Sequence, residues 1–64
     1  LDKLFDEVMN FVLESGNTST SYVQRKFSIG FNRAARIMDQ LEEQGIVSPM
    51  RNGKREILAR RPDF

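Results

Sequence analysis

The sequence predicts a mainly α fold: a winged helix-turn-helix, with three helices followed by a C-terminal β-hairpin wing. Three observations carry this expectation. Apolar residues recur at helical spacing in two long stretches, 2–15 and 31–44. A short turn containing glycine, Ser28-Ile-Gly30, joins the second stretch to a briefer helical segment before it, the arrangement of a helix-turn-helix. An Asn52-Gly53 pair then lies between two short strand-like runs, a strong short-range signal for a hairpin.

Leu4, Phe5, Val8, Phe11 and Val12 fall on one helical face, which predicts the first helix over 2–15. Asp2 is placed to cap it, and Gly16-Asn17 ends it. Thr18 to Thr20 are small, polar and partly β-branched, and fit a stub of strand. Ser21-Tyr-Val-Gln24 has the form of a capping box, in which the Ser oxygen accepts a backbone N–H and the Gln reaches back. It opens a second helix over 22–27. The third helix runs from 31 to 44 and stops at Gly45, which can take the left-handed conformation past a helix end. Ile46-Val47 reads as a strand that Pro49, lacking an N–H, confines to a sheet edge. Asn52-Gly53 favours a type I′ turn, and Arg55 to Ala59 is the return strand. Residues 1–59 thus form the expected winged-helix domain, and residues 60–64, with Pro62, a flexible tail.

Composition narrows the chemistry. A chain of 64 residues is one small domain. It has no Cys and no His, which removes disulfides, thiolate metal sites, Cys nucleophiles and imidazole bases together. No nucleophile–base pair and no phosphate-cradling glycine loop is present, so an enzyme is not expected, and neither is a metal or a cofactor. No apolar run approaches the roughly 20 residues that span a bilayer. The chain does not begin with Met, and it reads as a domain of a longer protein.

Net charge is only +1, but it is unevenly distributed. Residues 20–37 carry Arg25, Lys26, Arg33 and Arg36 and no acid, and a second basic group surrounds the Asn52-Gly53 turn. A polyanion partner needs such local footprints rather than a high overall charge. On a helical wheel, Phe31, Ala34, Ala35, Ile37, Met38 and Leu41 share the core side of the third helix, and the opposite side shows a stripe of Asn32, Arg36, Asp39 and Glu43. The major groove of duplex DNA admits an α-helix and presents base edges to matched donors and acceptors. Arg36 can give two parallel hydrogen bonds to guanine, Asn32 can pair with adenine, and Asp39 can accept from cytosine. These three are the candidate base readers. Arg51, Asn52, Lys54 and Arg55 in the wing, and Arg25, Lys26 and Arg33 on the helices, are the candidates for backbone contact. Taken alone, the stripe also fits a solvated face held by an Arg36–Asp39 or Arg36–Glu43 pair.

The block Val23-Gln-Arg-Lys-Phe-Ser-Ile-Gly-Phe-Asn-Arg-Ala-Ala-Arg-Ile-Met38, continued by Gln44-Gly-Ile-Val47 and Asn52-Gly-Lys-Arg-Glu-Ile-Leu58 and preceded by Leu4-Phe-Asp-Glu7, resembles the C-terminal gamma domain of the FtsK/SpoIIIE family of bacterial DNA translocases. The resemblance implies a winged helix at the end of a hexameric ATPase. That motor is anchored in the inner membrane and moves DNA at the division septum, with this domain on the cytoplasmic side and making no membrane contact itself. It implies recognition of short, directional, G-rich sequences that orient the motor, several copies binding one site. In many bacteria it also implies activation of a tyrosine recombinase. The family's reading residues fall on Asn32, Arg36 and Asp39, together with a wing base. Asp39 stands where the family leads one to expect the longer Glu, and Phe31 replaces a usual Tyr, a conservative core change. Two other readings stay open: a winged-helix protein–protein interaction module, which an exposed apolar patch would favour, and a transcription regulator, for which no dimerisation helix follows the wing.

Overall fold

Three helices, α1 (Phe5–Ser15), α2 (Thr20–Phe27) and α3 (Phe31–Glu43), enclose a core to which each contributes its apolar side. The computed structural model describes residues 1–58; the tail expected over 60–64 lies outside them, as does Ala59. Phe5, Val8 and Val12 of α1, Val23 of α2, and Ala34, Ile37, Met38 and Leu41 of α3 are buried together, with Val47 closing the core from the C-terminal segment. Burying a large apolar side chain of this kind stabilises the fold by about 1.5–3 kcal/mol.

Helix starts depart from expectation in instructive ways. Residues 2–4 lie outside α1; the Asp2 carboxylate accepts from the Leu4 N–H at 2.8 Å and shapes the turn before the helix instead of capping its first turn. Ser19 caps α2 rather than Ser21, its hydroxyl accepting from the Tyr22 N–H at 3.3 Å. The Asn17 carboxamide oxygen accepts from the Ser19 N–H at 2.9 Å and sets up that turn. The helix therefore takes in Thr20, and the strand stub expected over Thr18 to Thr20 does not form. Thr18 instead donates its hydroxyl to the Arg55 carbonyl at 3.0 Å, tying the α1–α2 connection to the C-terminal segment.

Helix ends follow one pattern twice. After α3, Gly45 takes φ 77° while the Ile46 N–H reaches the Leu41 carbonyl and the Gly45 N–H the Glu42 carbonyl. After α2 the same pair of bonds runs from Ile29 to Gln24 and from Ser28 to Arg25. This is the Schellman arrangement, which satisfies helix-end carbonyls through one left-handed residue. In the turn between α2 and α3 that residue is Ser28, at φ 54°, while Gly30 has an ordinary φ of −70°.

The expected continuous hairpin is reduced, among the described residues, to two isolated antiparallel bridges, Val47–Ile57 and Arg51–Lys54. Asn52 and Gly53 both have positive φ, 50° and 76°, as a type I′ turn requires, and Arg51 and Lys54 exchange both backbone hydrogen bonds. The ladder breaks between the bridges because three residues on the outgoing side face two on the return. One extra residue of this kind bulges the strand. The bulge contains Pro49, which has no N–H to give, and the Ser48 hydroxyl fills in by accepting from the Glu56 N–H at 2.8 Å.

A long-range ion pair joins the start of the chain to α3. Arg33 grips the Asp2 carboxylate with two bonds, at 2.9 and 3.0 Å, and the Asp2 N–H donates to the Gln40 side chain at 3.0 Å. The Arg33 guanidinium, helped by the Leu4 N–H, lowers the Asp2 pKa from 3.8 to about 2. A carboxylate depressed in the folded state contributes stability that is present above its unfolded pKa and lost as pH falls through the folded one. Wild type should therefore exceed Asp2→Asn in stability above pH of about 4, and the difference should vanish towards pH of about 2. Urea midpoints of both proteins across that range check this. A difference that stays constant to the acid end would contradict the assignment.

Candidate nucleic-acid interface

The stripe of α3 is outward-facing: Asn32, Arg36, Asp39 and Glu43 are all exposed. The centre of the buried side runs through Ala34, Ile37, Met38 and Leu41. Phe31, expected in the core, is not there; it is 52% exposed. It begins α3, and the core lies beneath the following turns, so a ring at the first position projects past its edge.

Each flank of the stripe is tied down. On one side stand Arg33 and Gln40, both bound to Asp2. On the other, Arg55 reaches across from the C-terminal segment. Its Nη1 donates to Glu42 at 2.7 Å and to the Ser48 carbonyl at 3.2 Å, and its Nη2 to Asp39 at 3.2 Å. Only 8% of the Arg55 side chain is exposed. The expectation of three cations crowding the turn is thus corrected to two, Arg51 and Lys54, which are exposed beside Asn52. Arg55 is drawn inward because the bulge aims it at the acidic end of α3, where Glu42 and Asp39 stand one turn apart. Its Nε is buried without a partner among the described residues.

Between these flanks Arg36 forms neither a hydrogen bond nor an ion pair among the described residues. The alternative of an Arg36–Asp39 or Arg36–Glu43 pair is therefore not what the structure holds; Asp39 has Arg55 instead. An exposed guanidinium with all its donors free can grip a planar pair of acceptors bidentately. Asp39 keeps 68% of its side chain exposed despite its bond to Arg55, so an oxygen remains open to solvent.

Arg25 and Lys26 are exposed on α2, with Lys26 Nζ 6.0 Å from the centre of the Phe11 ring. Phe11 in turn packs edge-on against Phe27 at 5.8 Å and tilted against Tyr22 at 5.4 Å. Lys26 thus sits over the α1–α2 junction.

Sequence reasoning missed the partners of Arg33 and Arg55, because both pairs join residues far apart in the chain. It also missed an open cleft of about 670 Å³ between the 15–21 connection, the first residue of α3 and the Asn52-Gly53 turn. Among the described residues, no helix is long and apolar enough to cross a membrane.

Similarity to known proteins agrees with the geometry. The model of the Ftsk gamma domain matches residues 1–60. The chain is 75% identical over 64 residues to the DNA translocase FtsK of Haemophilus influenzae, covering 100% of this chain and 12% of that protein. It is 79% identical over 61 residues to the DNA translocase FtsK of Pasteurella multocida, covering 95% of this chain and 7% of that protein. Against the DNA translocase FtsK of Vibrio vulnificus it is 60% identical over 63 residues, covering 97% and 6%. The chain therefore spans a small fraction of the length of these relatives. On the match across residues 1–60, the chain belongs to the FtsK gamma domain family.

Proposed function

We propose that this domain binds duplex DNA sequence-selectively and so orients the translocase of which it is a part. In this reading 46–58 is the wing of a winged helix-turn-helix. Asn32, Arg36 and Asp39 face base edges in the major groove, and Arg51, Asn52 and Lys54 contact the sugar-phosphate backbone beside it. Arg25 and Lys26 add contacts where α2 meets the backbone. The observation that carries the proposal is Arg36: exposed, unpaired among the described residues, and centred on α3 between two flanks whose charges are already engaged. Arg55 takes a supporting part, holding the wing against α3 and Asp39 in place. Arg33 is engaged by Asp2 through Nε and Nη2, and its remaining donors are what it can offer a phosphate.

A single recognition helix reads roughly 3 base pairs or a little more. A directional G-rich sequence long enough to orient a motor therefore takes several copies, which a multimeric translocase supplies at high effective concentration. The full-length protein would be held in the inner membrane at the division septum, and a tyrosine recombinase would be a second partner. Both follow from the family rather than from any contact in this chain.

Titrating a G-rich duplex and a scrambled duplex with the chain across a salt series tests the proposal. Affinity should fall as salt rises, with a log–log slope of about −0.9 for each phosphate neutralised. The G-rich duplex should bind more tightly and take up more than one domain at saturation. Salt-independent binding, or equal affinity for both duplexes, would sink the proposal.

A further inference from the structure

Phe31 and Met50 have no part in the contacts proposed so far. Both are large and apolar, 52% and 51% exposed, and both line the open cleft of about 670 Å³. Phe31 opens α3 immediately before Asn32, and Met50 stands in the bulge that precedes the Asn52-Gly53 turn. The hydroxyl-rich connection into α2 lines the same cleft, as does Lys54. The Thr18 hydroxyl is engaged by Arg55 and the Ser19 hydroxyl by Tyr22, whereas Thr20 and Ser21 make no such bond among the described residues. Among the described residues, no Asp or Glu lines the cleft.

A lining that combines two exposed apolar side chains, several hydroxyls and a cation with no acid suits a ligand that is apolar on one face and carries acceptor-only anions at its ends. A sugar-phosphate strand has that chemistry: the carbons of deoxyribose are apolar, and each flanking phosphate takes hydrogen bonds and positive charge. Position points the same way. Phe31 at the start of α3 and Gly53 and Lys54 of the turn all line the cleft, so a strand passing from Asn32 to Lys54 runs along it. An apolar peptide would suit Phe31 and Met50 equally, but would not account for the missing acids or for this position.

We infer that this cleft seats the backbone of one DNA strand, with Phe31 and Met50 packed against deoxyribose and the Ser21 hydroxyl and Lys54 ammonium on the adjoining phosphate. The inference rests on the DNA-binding reading above and adds to it an interaction that is neither ionic nor sequence-reading.

That character gives the interaction its own signature. Apolar packing releases no counterion, so removing it leaves the salt slope unchanged. A sugar carries no base identity, so sequence preference is unchanged as well. The experiment measures Kd for the Phe31→Ala/Met50→Ala variant on the G-rich and scrambled duplexes over the same salt series, beside Arg36→Ala and Met50→Ala alone. Neither apolar residue belongs to the buried core, so the urea midpoint should stay near wild type; Met50→Ala, outside every helix, carries the test should the double variant unfold. Expected is a Kd raised by about tenfold on both duplexes at every salt concentration, since each truncation leaves a few tens of Å² of apolar surface no longer shielded from water in the complex. Unchanged Kd on both duplexes, while Arg36→Ala still loses preference, overturns the inference and leaves the DNA reading standing; a protein partner would then be the occupant. Weakening on the G-rich duplex alone also overturns it, since the interaction would be with bases. No binding by wild type removes the DNA reading and this inference together.

Discussion

Met38→Asp should leave the chain without a cooperative fold at neutral pH. Met38 is fully buried among the apolar residues of α1 and α3. Removing its packing alone costs about 2–5 kcal/mol, by comparison with truncations of buried Met to Ala. A carboxylate in its place adds several kcal/mol of desolvation unless it finds a partner. The core around it is entirely apolar, so none is at hand. A domain of this size has total stability on the order of 3–10 kcal/mol, and the substitution therefore removes most or all of it. Met38→Leu, which conserves volume and polarity, should cost less than about 1.5 kcal/mol. Far-ultraviolet circular dichroism with urea titration checks both. A Met38→Asp protein that unfolds cooperatively at the wild-type midpoint would mean that the core has been misplaced.

Arg36→Ala should erase the preference for a G-rich duplex while the protein stays folded. The side chain is exposed and makes no hydrogen bond or ion pair among the described residues, acting on Asp2 only through its charge, so its removal should shift stability by no more than about 0.5 kcal/mol. A bidentate arginine–guanine pair contributes about 1–3 kcal/mol of discrimination, so the ratio of affinities for the two duplexes should fall by about 5- to 150-fold. Lys54→Ala makes the contrast. Its ammonium is exposed beside the Asn52-Gly53 turn rather than on the α3 stripe, so affinity should drop alike on every sequence and the magnitude of the salt slope by about one phosphate. If folded Arg36→Ala kept its full preference, the reading would have to come from elsewhere on the domain.

Asp39 is harder to assign than either. It faces outward on the stripe, yet one oxygen accepts from Arg55. The same carboxylate can hold the wing base and offer its other oxygen to a groove. Substituting it therefore mixes a structural effect with a reading effect, which makes Arg36 the cleaner probe. This coupling arises because Arg55 turns inward to the acidic end of α3, so that the position of the 46–58 segment and the chemistry of the stripe are linked through a single guanidinium.

What short-range physics governs was legible in the chain alone. Helical periodicity placed α1 and α3, because residues three and four apart must share a face; α2 was legible from a capping signal, two residues past its actual cap at Ser19. Gly45 marked the end of α3 and Asn52-Gly53 the turn, because few residues other than Gly and Asn take a positive φ at little cost. The exposed stripe of Asn32, Arg36, Asp39 and Glu43 followed from the same periodicity once the apolar side was known. Competition between distant groups settled the rest, and that is visible only in three dimensions. Ser19 displaced Ser21 as the cap of α2 because Asn17 prepared its backbone and Thr18 anchored the connection to Arg55. A bulge around Pro49 broke the expected hairpin into two bridges and turned Arg55 inward. Arg33 went to Asp2, across the whole of α1 and α2. Phe31 has the right polarity for the core, but it stands where the helix has not yet reached it, and a wheel carries no information along the axis. Spacing along a chain fixes which side chains share a face; which of them meet a partner, and which are left for a ligand, depends on how the faces are brought together.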